Sequence, residues 1–202
     1  MKLFVITTEQ IFPDEAFVLN DLFLEGMPVL HLRKPAATAA DLENLLDRVR
    51  PEFLDRIVLH DHFELLSSYP LRGVHLNSRH PKCPAFAVAS VSRSCHSIPE
   101  VESSLETCKY VFLSPIFDSI SKNGYRRAFS HEELLLLKSQ GVINEKVIAL
   151  GGIEEALIPL VAHYGFGGVA VLGSLWGSFP SDKDREFLIK RFLNLKSVTD
   201  KL

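Results

Sequence analysis

The chain has 202 residues, 47% hydrophobic and 23% charged, with a net charge of −3. Such a length and apolar share suit one domain, residues 1–202, with a sizeable core, and the lack of any basic stripe argues against nucleic acid as a partner. No apolar stretch approaches the roughly 18 residues of a membrane span, and the odd number of cysteines (Cys83, Cys95 and Cys108) argues against a disulfide framework. The opening Met1-Lys2-Leu3-Phe4-Val5-Ile6 is too short and β-branched for a signal segment, so a cytoplasmic protein without membrane attachment is expected.

Short apolar runs alternate with helical patterns along the chain. The runs cover residues 3–6, 28–32, 57–60, 73–76, 86–91, 110–113, 146–150 and 168–172. Nearly unbroken apolar runs of this length predict strands buried on both faces of a parallel sheet. After the second run, Thr38 precedes Ala39-Ala40-Asp41 and a stripe of Leu42, Leu45, Leu46 and Val49 at helical spacing. Ser97-Ile98-Pro99-Glu100 and Ser130-His131-Glu132-Glu133 read as capping boxes, each with a hydroxyl cap and a returning carboxylate. The sixth run leads into a long polar connection, residues 114–129, expected to move. Ser181-Asp182-Lys183-Asp184 opens a last helix with Phe187, Leu188, Phe192 and Leu195 as its apolar positions, and the polar tail 197–202 is expected to fray.

Strands alternating with helices in this number allow a (β/α)8 barrel or an open doubly wound sheet. The count, the absence of Gly-x-Gly-x-x-Gly after the first strand, and glycines clustered after strands seven and eight favour a single (β/α)8 TIM barrel. In such barrels the active site lies at the C-terminal strand ends. Strand two then offers His31, Arg33 and Lys34, strand three His60 and Asp61, and strand four His75, Arg79 and His80. Ser94 and His96 follow the fifth run, and Ser119, Ser121 and Lys122 the sixth.

The clearest chemical signal is the pair Leu150-Gly151-Gly152-Ile153 and Val171-Leu172-Gly173-Ser174. Glycine lets the backbone approach an anion, and a following helix start presents unpaired N–H groups. Gly151, Gly152, Gly173 and Ser174 are therefore expected to bind a phosphate, with Ser119 and Ser121 adding hydroxyls and Lys122 a cation. Asp61 could hold Mg²⁺, or cap the helix expected near His62. Arg33 and Lys34 could clamp a phosphate or solvate the strand end, and any one histidine has the ordinary alternative of a satisfied core residue.

Together these segments resemble the thiamine-phosphate synthase and thiazole tautomerase (TenI-like) superfamily over nearly the whole chain. Gly73-Val74-His75-Leu76, Ser94-Cys95-His96-Ser97, Ser114-Pro115-Ile116-Phe117, Ser119-Ile120-Ser121-Lys122 and Leu150-Gly151-Gly152-Ile153 stand where that group carries its patterns. The resemblance implies thiamine biosynthesis, a thiazole phosphate or thiamine phosphate ligand, and barrels that often pair as homodimers. A synthase, a transferase, would join a pyrimidine methyl diphosphate to a thiazole phosphate, with Mg²⁺ and cations drawing the diphosphate away. A tautomerase, an isomerase, would aromatise a thiazole precursor carrying the same phosphate and require no metal or other cofactor.

The departures from the family pattern gather on one side. His31 replaces a glutamine, His60 an asparagine, and His80 the second metal-binding aspartate, while the strand-two lysine is displaced to Lys34 or lost to Pro35. The thiazole-phosphate side keeps Ser119, Ser121, Gly152 and Gly173-Ser174. This distribution favours a tautomerase-like activity, with a synthase as the alternative and a non-catalytic sensor of thiazole or thiamine phosphate as a third reading. The tautomerase histidine after strand six corresponds to Pro115, so His31, expected at the barrel mouth beside Arg33, is the candidate acid/base. Lys122 would assist, and His60, Ser94 and His96 would contact substrate.

Overall fold

In the computed structural model, residues 1–118, 128–179 and 184–202 are described. Eight parallel strands close into a barrel in chain order: β1 (Lys2–Ile6), β2 (Leu30–Leu32), β3 (Ile57–Leu59), β4 (Gly73–Leu76), β5 (Val91–Cys95), β6 (Tyr110–Leu113), β7 (Val147–Leu150) and β8 (Gly168–Val171). Pairing of Lys2 with Gly168 through Val5 with Val171 joins β8 back to β1. Around the barrel run α1 (Glu15–Leu24), α2 (Ala39–Leu46), α3 (Ile98–Leu105), α4 (His131–Ser139), α5 (Ile158–His163), α6 (Gly173–Trp176) and α7 (Arg185–Asp200). None of the described helices is long and apolar enough to cross a membrane. All three cysteines are free thiols.

Successive side chains along a strand alternate between faces, so each strand feeds two cores. Phe4, Ile6, Val29, Val58, Tyr110, Phe112, Ile148 and Ala170 fill the interior of the barrel. Their neighbours, among them Leu3, Val5, Leu30, Leu32, Leu59, Val111 and Val169, pack outward against the helices. At α2 the predicted box forms: Thr38 Oγ1 accepts from Asp41 N and the Asp41 carboxylate accepts from Thr38 N. Ser130 and Glu133 do the same for α4. The box expected at Ser97 does not form, because the Glu100 carboxylate reaches one residue further back and accepts from His96 N at 2.6 Å.

Three further expectations are corrected. The fifth strand lies not on residues 86–91 but on Val91–Cys95, in register with β4 through Val74 to Val91 and His75 to Ser92. Its inward positions, Ser92 and Ser94, are polar because they serve the His75 ring rather than an apolar core. The tail does not fray: α7 continues to Asp200, Thr199 is buried, and the terminal amine of Met1 donates to the Thr199 carbonyl at 2.9 Å. Phe187 is half exposed under the Arg191 guanidinium, whereas Leu188, Phe192 and Leu195 are buried as the stripe requires. Asp184 caps α7 by accepting from Phe187 N; residues 181–183 lie outside the described residues.

Candidate active site at the barrel mouth

Strands two to five build a wall of imidazoles inside the barrel. His31 sits mid-strand with no exposed surface; its ring and that of His75 pack against Phe112, and the rings of His31, His60 and His75 pack against one another. His31 Nδ1 shares a hydrogen bond with His60 Nε2 at 2.9 Å, and its Nε2 shares one with the Tyr110 hydroxyl at 2.8 Å. His75 has Ser92 Oγ on Nδ1 and Ser94 Oγ on Nε2, both at 2.8 Å. Burial holds all three imidazoles neutral: His31 and His60 lie well below the usual range, and His75 is pushed down to about 3. The same burial pushes the Tyr110 phenol up to about 12.

One nitrogen from each ring can be chosen so that all lie within 4.8 Å of one another, a spacing that a metal ion could in principle bridge. Here, however, both nitrogens of His31 and of His75 already have partners, and the His60 and His75 rings stack with centroids 4.3 Å apart. The arrangement is a satisfied hydrogen-bonded network, which a buried polar cluster requires. His31 thus lies inside the wall and not at the mouth, where it was expected.

Above this wall the charged groups are paired. Arg33, at the end of β2, donates to the Glu9 carboxylate at 2.8 Å, and its backbone is held by Thr7 Oγ1 on both sides. Lys34 points the other way. It is fully buried against Glu15, with Nζ 2.7 and 2.8 Å from the two carboxylate oxygens and 2.7 Å from the Gln10 carbonyl. Burial raises the Glu15 carboxyl and lowers the Lys34 amine, each partly offset by the other's charge. As a phosphate clamp Lys34 is out of reach, since the strand alternation that aims Arg33 at the mouth aims its neighbour at α1. Asp61, buried after β3, is held by Arg79: Nη2 lies 2.9 Å from Oδ1 and 3.2 Å from Oδ2, and Nε 3.1 Å from Oδ1. His80 Nε2 adds a contact to Oδ1 at 3.2 Å.

The opposite side of the mouth is built from backbone. Gly151 and Gly152 follow β7 with φ of +95° and +64°, and a Cβ at Gly152 would meet the Asp118 carbonyl at 2.5 Å. Phe117 N donates to the Gly151 carbonyl at 3.1 Å, so residues 115–118 fold over this turn. After β8 the short α6 starts at Gly173-Ser174. The Ser174 hydroxyl is buried and has no hydrogen-bond partner among the described residues. His96 reaches the same rim from β5, its Nδ1 donating to the Ser114 carbonyl at 3.0 Å. Ser94 instead lies in β5, committed to His75. Ser119, Ser121 and Lys122 lie outside the described residues.

Sequence reasoning missed Glu15 and Tyr110 as partners of the site, which look like ordinary helix-start and strand residues until the barrel closes. Ser92 was legible among the residues after the fifth run, but its direction, inward to His75, was not.

Residues 3–175 match the family model described as thiamine monophosphate synthase. The chain belongs to this family. It is accordingly an enzyme of the thiamine-phosphate synthase superfamily, on the barrel that its sequence predicted. A solved structure from Bacteroides thetaiotaomicron, described as a thiamine phosphate pyrophosphorylase, is similar at 40% identity, covering 99% of this chain and 98% of that one with a TM-score of 0.90. A putative thiamine-phosphate synthase of Geobacter sulfurreducens is 26% identical over 167 residues, 78% of each chain. A thiamine-phosphate synthase of Limosilactobacillus reuteri is 27% identical over 147 residues, 69% of this chain and 65% of that one.

Proposed function

We propose that this protein is a thiamine-phosphate synthase, a transferase that joins a pyrimidine methyl diphosphate to a thiazole phosphate and releases pyrophosphate. The names of the family members that it resembles favour this over the tautomerase-like reading. So does the placement of His31, which is wholly buried with both ring nitrogens engaged and has no access to a substrate proton. The observation that carries the proposal is the Ser174 hydroxyl, buried and without a hydrogen-bond partner among the described residues, next to Gly173, an acceptor-seeking group where a thiazole phosphate would sit.

The family resemblance implies Mg²⁺ for the diphosphate. The residues present do not fit the usual pair of carboxylates: His80 stands at the second position, and both oxygens of Asp61 are already taken by Arg79. In this reading the Arg79 guanidinium and Arg33 would neutralise a leaving diphosphate in place of the second carboxylate and its metal. Arg79, held by Asp61, would offer a planar, pre-oriented set of donors. The departing pyrophosphate carries off the electron pair of the C–O bond, and the thiazole nitrogen supplies the pair that closes the new C–N bond. The imidazole wall, buried and neutral, would keep water from capturing the pyrimidine cation from below.

The test mixes pyrimidine methyl diphosphate and thiazole phosphate with the protein and follows pyrophosphate and thiamine phosphate together, with Mg²⁺ and with chelator. The expected result is equal amounts of both products, dependent on both substrates. Absence of product under either condition, despite thiazole phosphate binding, would overturn the synthase reading.

A further inference from the structure

The N-terminal end of the barrel, opposite the mouth, carries a second concentration of charge. A cavity of about 510 Å³ opens there between the starts of β1, β4 and β6 and the last turns of α7. Phe4, Val29 and Tyr110 of the lowest interior layer form its apolar wall. Lys2, Arg72, Lys109 and Lys196 line it, against Asp200 as the one acid among the described lining residues. That acid is already spent on Lys196, 2.5 Å away.

Arg72 is the informative residue. Its backbone is fixed, with N donating to the Ile57 carbonyl at 2.8 Å, and the next position must be glycine because the Ser90 carbonyl lies 1.9 Å from where a Cβ would stand. The side chain is therefore presented to the cavity by a rigid strand start. Its Nε is buried with no acceptor among the described residues. A buried guanidinium N–H without a partner is unfavourable and seeks an acceptor. Lower barrel mouths are ordinarily sealed by layers of branched apolar side chains. Here a forked donor and three lysines surround the opening below that layer.

We propose that this cavity is an anion site, taking a small, multiply charged oxyanion of the phosphate class between Arg72 and Lys109. It is separate from the glycine turns at the mouth and independent of whether the protein is a synthase. Arg72 supplies directional donors, Lys109 and Lys2 supply charge from the rim, and the apolar wall raises the strength of each contact by excluding water.

The site can be read residue by residue in amide NMR spectra of the whole chain titrated with inorganic phosphate, against sodium chloride at matched ionic strength. Saturable shifts are expected at the amides of Gly73, Lys109 and Tyr110 with phosphate and not with chloride. Arg72→Met should weaken that binding at least tenfold while the response of the Gly173 amide at the mouth stays unchanged, so the two sites report separately. Lys109→Met, on the exposed rim and without structural duties, should weaken it about threefold and serves if Arg72→Met does not fold. Three results would each overturn the proposal: shifts that chloride reproduces, phosphate shifts confined to the mouth, or affinity undiminished in both variants.

Discussion

The two sides of the barrel mouth satisfy their polar groups in opposite ways. On the β2–β4 side every functional group has an intramolecular partner: His31 with His60 and Tyr110, His75 with two serines, Arg33 with Glu9, Lys34 with Glu15, Asp61 with Arg79. On the β7–β8 side the turns are glycines, and the Ser174 hydroxyl has no partner among the described residues. A side whose groups are all paired is held by the fold itself, so that Arg33 and Arg79 are oriented before any diphosphate arrives. In the proposed function the other side takes the thiazole phosphate at the buried Ser174 hydroxyl.

The sharpest way to break this comparison is to unpair the first side. Lys34→Met leaves Glu15 buried without a counter-charge, and it should destabilise the protein by about 3–5 kcal/mol. The double variant Lys34→Met with Glu15→Leu should recover most of that loss in urea denaturation. A single variant as stable as the wild type would show that the pair is not what holds α1 to β2. On the other side, Gly152→Ala asks a β-carbon to stand 2.5 Å from a carbonyl oxygen at a φ of +64°. Its expected cost is about 2 kcal/mol of stability, together with loss of thiazole phosphate binding measured by calorimetry.

The imidazole wall also predicts a pH dependence with a definite sign. His75 is held at about 3 in the folded protein, against about 6.5 when unfolded, so between those values the unfolded chain binds a proton that the folded one refuses. Its contribution is complete above about pH 6.5 and is lost as pH falls toward 3. From pH 7 to pH 5 His75 alone should remove about 2 kcal/mol, with His31 and His60 acting in the same direction. The raised carboxyl of Glu15 opposes them, since its protonation becomes easier in the fold. Denaturant midpoints at the two pH values check this, and His75→Gln should flatten the slope. An equal slope in wild type and variant would mean that the ring is solvated after all.

Most of the barrel was legible because its strands announce themselves as apolar runs. β1 to β4 and β6 to β8 fall on those runs, and the Thr38 and Ser130 caps form as spaced. β5 escaped because Ser92 and Ser94 face a histidine and not a hydrophobic core, so hydrophobicity could not mark it. The site was legible in its residue types and much less so in their directions. Arg33 and Lys34 are adjacent in sequence, yet one faces the mouth and the other α1. The Asp61–Arg79 pair joins residues from two strand ends, which only the closed barrel brings together.

The smallest expected effect discriminates most cleanly between the two sides, because it compares two serine hydroxyls under the same substitution. Ser94→Ala removes a bonded partner from the buried His75 ring and should cost about 1–2 kcal/mol of stability, since the ring nitrogen is left unsatisfied. Ser174→Ala removes a hydroxyl that has no partner among the described residues, so stability should stay within about 0.5 kcal/mol of the wild type or rise slightly. Thiazole phosphate affinity should nevertheless fall about tenfold, the worth of one hydrogen bond to a charged oxygen. Thermal unfolding and calorimetric titration of both variants give the four numbers needed. Should Ser174→Ala lose stability as Ser94→Ala does while keeping its affinity, the hydroxyl is part of the scaffold and does not hold the phosphate.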